Sequence, residues 1–428
     1  MITVGLDFGT HQTKICVESK NGTETHYKFH MFMDIDGSLH YTIPSVVCIN
    51  PDRTLSYGYT AVRSHGQIKR YFKQAVFRDH DSGVLKLWEA ACYSIWFIAF
   101  ILFDLEELYG QEFTIQMGAP TDSSRLDDRR AIAVTILASA YHLVEDVFRN
   151  NKDEFLKADY NKLLELTKIE YYSDKIKRNY GILVFPEAYA CLMPLVARGK
   201  IAHGMSLVID IGGGTTDISF FTIEETAKKS KVYRPQLYDY FSINKGLNYL
   251  TGEDQVINEA YYKDFHIING REIDKSKLNV LNIEIHNLKA DLIRRLEYEW
   301  RTQTIHDVSM LKAALRNRPI IYTGGGSTIS ILRKTYDGFS EIHQITYDSW
   351  QSKLFDNQTL FQELSMCPVL STAYGLSISV KDDIINKKPF RDIFEDRRGD
   401  KRDTVPDYRK KNPHMKEFDY GLDDDSWK

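Results

Sequence analysis

Met205-Ser206-Leu207-Val208-Ile209-Asp210-Ile211-Gly212-Gly213-Gly214-Thr215-Thr216-Asp217-Ile218-Ser219-Phe220-Phe221 is the most informative stretch of this 428-residue chain. An apolar run ends at an aspartate, three glycines and two threonines follow, and a β-rich run resumes at Asp217. The pattern reads as strand, glycine turn, strand. Successive glycines let backbone N–H groups converge on an anion with no side chain in the way, and threonine hydroxyls add further donors. A carboxylate beside such a turn repels phosphate unless a divalent cation lies between them, held largely through water as magnesium prefers. A lone glycine turn between strands is also an ordinary hairpin, so one copy decides little.

A second copy opens the chain. Ile2 to Ser19 reads ITVGLDFGTHQTKICVES, again an apolar strand, an aspartate (Asp7), a glycine–threonine turn (Gly9-Thr10) and a β-rich run from Ile15. A supersecondary unit repeated once at long spacing points to a duplicated fold, since solenoid repeats recur every few tens of residues. Two such turns facing each other would clamp a β- and a γ-phosphate from both sides. Neither fits a P-loop or a dinucleotide fingerprint, because both of those require a helix after the glycines. A third stretch, Ile320 to Ser330 (IIYTGGGSTIS), reads as strand, glycines and helix. Its backbone would lie flat against a nucleoside, with the helix N-terminus adding a favourable dipole; a tight strand-to-helix turn is the plain alternative.

The rest of the chain bounds these readings. Hydrophobic residues at 43% and charged residues at 27% are ordinary soluble usage, and 428 residues suit two lobes or two domains. A net charge of -4 gives no reason to expect a nucleic-acid or anionic-membrane partner. Cys16, Cys48, Cys92, Cys191 and Cys367 lie far apart without a CxxC pair, which argues for a reducing compartment. The N-terminus has no basic n-region or cleavage site, so a cytoplasmic protein is expected. Val84 to Phe103 is apolar enough to raise the membrane question, but Lys86 and Glu89 interrupt it, and a buried lobe helix is expected. Ser123 to Asn150 reads as a serine-capped amphipathic helix, and Glu284 to Arg301 as a second helix charged on one face. His26 and His30 share one side of an alternating segment, read as an exposed strand face. Arg391 to Lys428 carries ten basic and eleven acidic residues among 38, which reads as a flexible tail.

In order along the chain, these motifs resemble the actin and 70-kDa heat-shock ATPase superfamily. GLDFGT and VIDIGGGTTD are similar to its two phosphate motifs, and IIYTGGGST to its adenosine motif. PEAYACLMPLV (Pro186 to Val196) and STAYGLSISV (Ser371 to Val380) resemble its two connecting helices, so the resemblance runs from Gly5 to about Val380. It implies an α/β, two-lobed actin-like ATPase fold of duplicated ribonuclease-H-like lobes with a nucleotide cleft between them. The implied divisions are lobe I over 1–204 with an inserted subdomain at about 46–117, and lobe II over 205–370 with a subdomain at about 245–315. A returning cross-lobe helix at 371–390 and the tail follow.

The heat-shock branch is suggested by Ile68-Lys69-Arg70, at the place of that family's catalytic lysine, and by Asn248 to Phe265, similar to its glycine-glutamate-aspartate segment. Lys14, seven residues after Asp7, instead resembles the actins and plasmid-segregation actins. Pro186-Glu187 reverses the chaperone order, Ile329 replaces an adenine-stacking arginine, and no peptide-binding domain is expected.

Carried over by position, the resemblance implies ATP/ADP and Mg2+ as cofactors. Asp7 and Asp210 would hold the magnesium. Gly9, Thr10, Gly212, Gly213, Gly214 and Thr215 would grip phosphates, and Lys14 would contact the β-phosphate. Glu187, with Asp210, would act on the attacking water, and Lys69 would neutralise the γ-phosphoryl group. Gly325, Gly326 and Ser327 would face the nucleoside, with Lys289 near adenine or ribose. The expected function is a heat-shock-like ATPase module whose lobe closure is read by an unidentified partner protein, as a monomer or small oligomer. The alternatives are a bacterial actin-like filament subunit and, third, a small-molecule kinase.

Overall fold

The computed structural model describes residues 2–77, 85–121, 126–167, 180–197, 204–225, 233–251, 267–268, 271–272, 274–303, 307–316, 320–329, 332, 344–345 and 367–380. The expected tail, the proposed serine cap at 123–124 and most of the 248–265 segment lie outside them.

Two mixed sheets dominate. The first contains β1 (Ile2–Asp7), β2 (Gln12–Asn21), β3 (Glu24–Phe29), β4 (Thr42–Pro44), β5 (Phe113–Ala119) and β6 (Ile182–Pro186), in the order β6-β5-β1-β2-β3 with β4 also on β2. The second contains β7 (Gly204–Ile211), β8 (Thr216–Glu225), β9 (Tyr233–Ile243), β10 (Ile320–Thr323) and β11 (Gln344–Ile345), in the order β9-β8-β7-β10-β11. In each sheet an antiparallel meander of three strands is extended by two parallel strands on the far side of the first. The repeated sequence unit is therefore a repeated topology: β1-β2-β3 corresponds to β7-β8-β9. Parallel strands require covered crossovers. In the first sheet the β4-to-β5 connection supplies a small sheet (Val47–Ile49, Leu55–Tyr57, Gln67–Lys69), a short helix (Phe72–Val76) and a long one (Leu87–Tyr109).

The Leu87–Tyr109 helix is long and apolar enough to cross a membrane, yet 72% of its apolar window is buried within the protein. Trp96, Phe97 and Ile101 are fully buried in the first sheet's core, where Phe97 stacks with Phe8 and sits at a tilt to Phe72. Leu87, Trp88 and Leu108 are the large apolar side chains it exposes. The other expected helices run Leu126–Tyr141, continued by a π turn at His142–Val147, and Lys275–Gln303. Cys16, Cys48, Cys92 and Cys191 are buried free thiols. His30 corrects the expected exposed strand face: it follows the end of β3, is buried, and stacks edge-on to Phe32 with ring centroids 4.6 Å apart.

Two helices cross between the sheets. Glu187–Ala197 starts directly from β6, and Cys367–Ser377 packs on β1, β2 and the first helix. Their approach depends on missing side chains. A Cβ built on Gly375 would lie 1.7 Å from the Ala190 carbonyl oxygen, and one on Gly5 would lie 2.3 Å from that of Ala373. Backbone-to-backbone packing of this kind fixes the helices against each other and against β1.

Candidate functional site

Both central strands carry an aspartate at or next to their last residue, and the register places a second ionisable residue opposite each. Asp7 of β1 faces Lys14 of β2, and Asp210 of β7 faces Asp217 of β8. The seven-residue spacing is the same in both hairpins, so Lys14 and Asp217 are topological equivalents of opposite charge. These four residues line one cavity together with Gly9, Thr10, His11, Gln12, Lys73, Glu187, Gly212, Gly213, Gly214, Thr215, Gly324, Gly325 and Thr372. The two glycine turns thus face each other across a common space.

Each turn is held from behind. In the first, Ser45 donates its hydroxyl to the Gly9 carbonyl (2.7 Å) and its backbone N–H to the His11 carbonyl (2.8 Å). In the second, the Leu247 and Asn248 N–H groups donate to the Gly212 and Gly213 carbonyls at 3.0 and 2.9 Å. Those donors start the short Leu247–Thr251 helix, whose first N–H groups have no intrahelical acceptor. Gly324 closes the third side in a left-handed conformation (φ 78°), where a Cβ would lie 2.3 Å from Asp210 Oδ1.

The carboxylates are crowded. Burial first, then Asp217, Glu187 and Asp7, push the Asp210 carboxyl up to about 8, with Lys14 opposing. Burial also raises Asp217, although Ser242, Tyr240 and Thr215 hydrogen-bond to it. Tyr240 donates to one oxygen at 2.7 Å and Thr215 to the other at 3.2 Å. Burial raises Glu187 against the opposing charge of Lys73. Glu187 stands at the first residue of its helix, and Gly118 on β5 makes room for it, since a Cβ there would lie 2.9 Å from Glu187 Cγ. Lys14 donates to Asp7 at 2.8 Å and Lys73 donates to Glu187.

Four carboxylates against two lysines leave an excess of buried negative charge, which a cation would relieve. Among the described residues no three His, Cys, Asp or Glu side chains are grouped for direct ligation. That donor set fits a magnesium ion held mainly through its waters and poorly fits a dehydrated cation.

The structure gathers Asp7, Gly9, Thr10, Lys14, Glu187, Asp210, Gly212, Gly213, Gly214, Thr215 and Gly325 around the cavity. It does not bring Lys69 there. Lys69 sits on the Gln67–Lys69 strand opposite Val47, and the lysine that reaches Glu187 is Lys73, at the start of the Phe72–Val76 helix. The correction follows from geometry: strand pairing fixes Lys69, whereas the turn through Tyr71 re-aims the chain so that Lys73 faces inward. Gly326 and Ser327 lie outside the cavity lining. Gly326 packs on Ile211, and the buried Ser327 donates its hydroxyl to the Gly324 carbonyl at 2.8 Å. Where a helix is expected after these glycines, the described residues form a 3-10 turn, Gly325–Thr328. Lys289 is also outside the lining and buried on the Lys275–Gln303 helix. Sequence reading missed Lys73, Asp217, His11 and Ser45. Only Asp217 carried a signal, as the residue closing the glycine motif at the spacing of Lys14.

No family model and no curated protein matches the chain. Among solved structures it is similar to a non-polymerising mutant of MamK bound to AMPPNP, at 16% identity and a TM-score of 0.39, over 86% of this chain and 98% of that one.

Proposed function

We propose that this chain is an ATPase of the actin-like kind, binding Mg-ATP between its two glycine turns and hydrolysing it there. The observation that carries the reading is the facing pair of hairpins, which sets Asp7–Lys14 and Asp210–Asp217 around one cavity beside Glu187. Glycine turns supply backbone donors for phosphate oxygens, and Thr10 and Thr215 add hydroxyls. Asp7 and Asp210 would hold magnesium through water, and the ion would neutralise phosphate charge. Glu187, kept basic by its buried position and held in place by Lys73, would orient and polarise the attacking water. Lys73 takes the charge-neutralising role that the sequence suggested for Lys69, and Lys14 stands by the first turn for the β-phosphate.

Two uses of hydrolysis are consistent with this site. One is hinge closure through the crossing helices, read by a partner protein in the heat-shock manner. The other is assembly into an actin-like filament. Exposed apolar side chains in both halves, Met33, Ile35 and Leu39 in one and Ile283 and Tyr298 in the other, favour assembly, because a head-to-tail contact needs two different surfaces. The buried Trp96-to-Phe103 stretch is not available for such a contact.

The test is thermal. Saturating Mg-ATP raises the melting temperature of nucleotide-free protein, as any ligand of the folded state must. No shift would remove the proposal. Sedimentation and negative-stain microscopy with Mg-ATP then separate filaments from monomers.

A further inference from the structure

His11 is a large side chain in an unusual place, projecting from the first glycine turn toward the second. Its ring lies against Gly213, where an added Cβ would be 2.6 Å from His11 Cδ2. It stacks edge-on to Tyr71 with ring centroids 5.2 Å apart. Its Nε2 meets Asn248, whose amide Nδ2 is the donor. Asn248 in turn belongs to the second turn, because its backbone N–H donates to the Gly213 carbonyl at 2.9 Å. The first turn's side chain and the second turn's supporting helix are thereby joined directly, across residues 237 apart in sequence.

We propose that His11 and Asn248 form an interlock that sets the spacing of the two glycine turns, so that phosphate enters or leaves when this hydrogen bond opens. Gly213 and Gly214 bring no side chain of their own to the crossing point, where a Cβ on Gly214 would lie 3.0 Å from Thr10 Cγ2 and one on Gly213 2.6 Å from His11 Cδ2. The imidazole, with Thr10 beside it, limits how closely the turns approach, and the hydrogen bond to Asn248 limits their separation in the other direction. His11 is therefore a positioning residue, acting on phosphate through the geometry of the turns. The hydrogen bond needs an unprotonated Nε2. Burial, Arg70 and Lys14 push His11 down to about 3, so the ring stays a neutral acceptor at physiological pH.

The proposal rests on reading the cavity as a phosphate site, and the experiment separates the two. Full-length wild type, His11→Ala, Asn248→Ala, the double variant and His11→Gln are compared in two measurements. The first is amide hydrogen exchange of nucleotide-free protein over residues 9–14 and 212–217; the second is stopped-flow release of a fluorescent ADP. Each alanine variant is expected to raise exchange in both turns and to speed release about five- to tenfold, the scale of one buried hydrogen bond. The double variant adds nothing further. His11→Gln restores both readouts, because its Oε1 accepts from the same Asn248 donor. Unchanged exchange in the second turn of His11→Ala, additive effects in the double variant, or failure of His11→Gln to rescue would each overturn the interlock. A wild type that binds no ADP removes the phosphate reading, and exchange alone then decides whether the two turns are coupled.

Discussion

Lys73 donates to Glu187 across 114 residues of sequence, with side chains 6% and 17% exposed. A pair so removed from water is held by the fold and gains little from being an ion pair, because desolvation offsets much of the attraction. Its value is positional: the lysine opposes the upward push of burial on the Glu187 carboxyl and keeps it aimed at the space between the glycine turns.

Lys73→Ala is expected to lower kcat for ATP about a hundredfold or more, the usual cost of removing one positioned charge donor. Lys69→Ala is expected to stay within about twofold of wild type, because Lys69 is paired opposite Val47 and does not line the cavity. Steady-state hydrolysis decides between them. Equal losses in the two variants would contradict the assignment. Lys73→Met paired with Glu187→Gln should recover the stability lost by either alone without recovering activity, since both buried charges are then gone.

At the helix crossing, Gly375→Ala forces the two helices apart, because its Cβ would lie 1.7 Å from the Ala190 oxygen. The expected loss is about 2–3 kcal/mol, in the range of overpacked cores. Urea unfolding measures it, and a midpoint equal to wild type would show that the crossing is not close-packed.

Asp210 gives a pH dependence of definite sign. Its carboxyl moves from an ordinary 3.8 to about 8 in the folded chain, so folding favours the protonated acid. Its contribution is intact below about 4 and is lost progressively as the pH rises toward about 8. Asp210→Asn removes this loss. The variant's melting temperature in nucleotide-free buffer should therefore gain on wild type steadily between pH 4 and pH 8, while hydrolysis disappears. A pH-independent difference in melting temperature would refute it.

His30 has the opposite sign. Burial, with Lys28 and Lys152, pushes the imidazole from 6.5 down to about 4, so folding favours the neutral ring. Its contribution is present above about 6.5 and is lost as the pH falls toward about 4, a total of about 3 kcal/mol at the standard conversion. His30→Gln should flatten the acid limb of the stability curve by that amount. NMR titration offers a direct check: a His30 resonance that titrates near 6.5 in folded protein would contradict the burial argument.

Local chemistry made much of this protein legible. The two glycine turns could be read because a strand, an aspartate and successive glycines constrain the backbone within a few residues. The same locality made the connecting helices readable from PEAYACLMPLV and STAYGLSISV, which fold as Glu187–Ala197 and Cys367–Ser377. The apolar Val84-to-Phe103 stretch was placed as a buried helix on length and interrupting charges, and its buried residues from Ala90 to Phe103 lie in the first sheet's core.

Contacts between distant residues were not legible. Lys69 and Lys73 are equally good lysines in sequence, and the positive φ of 61° at Tyr71 separates a strand-fixed side chain from one aimed into the cavity. His30 looked exposed by strand alternation, which ends at Phe29, where β3 ends and the core begins. His11 could not be assigned at all, because its meaning lies in Gly213 and Asn248. By itself the sequence determined the two turns, their aspartates and the strands that flank them, since backbone conformation at glycines and apolar runs depends on near neighbours. Only the tertiary structure decided which cation meets Glu187 and what stands between the turns, because side-chain partnership across two sheets depends on packing that no local pattern encodes.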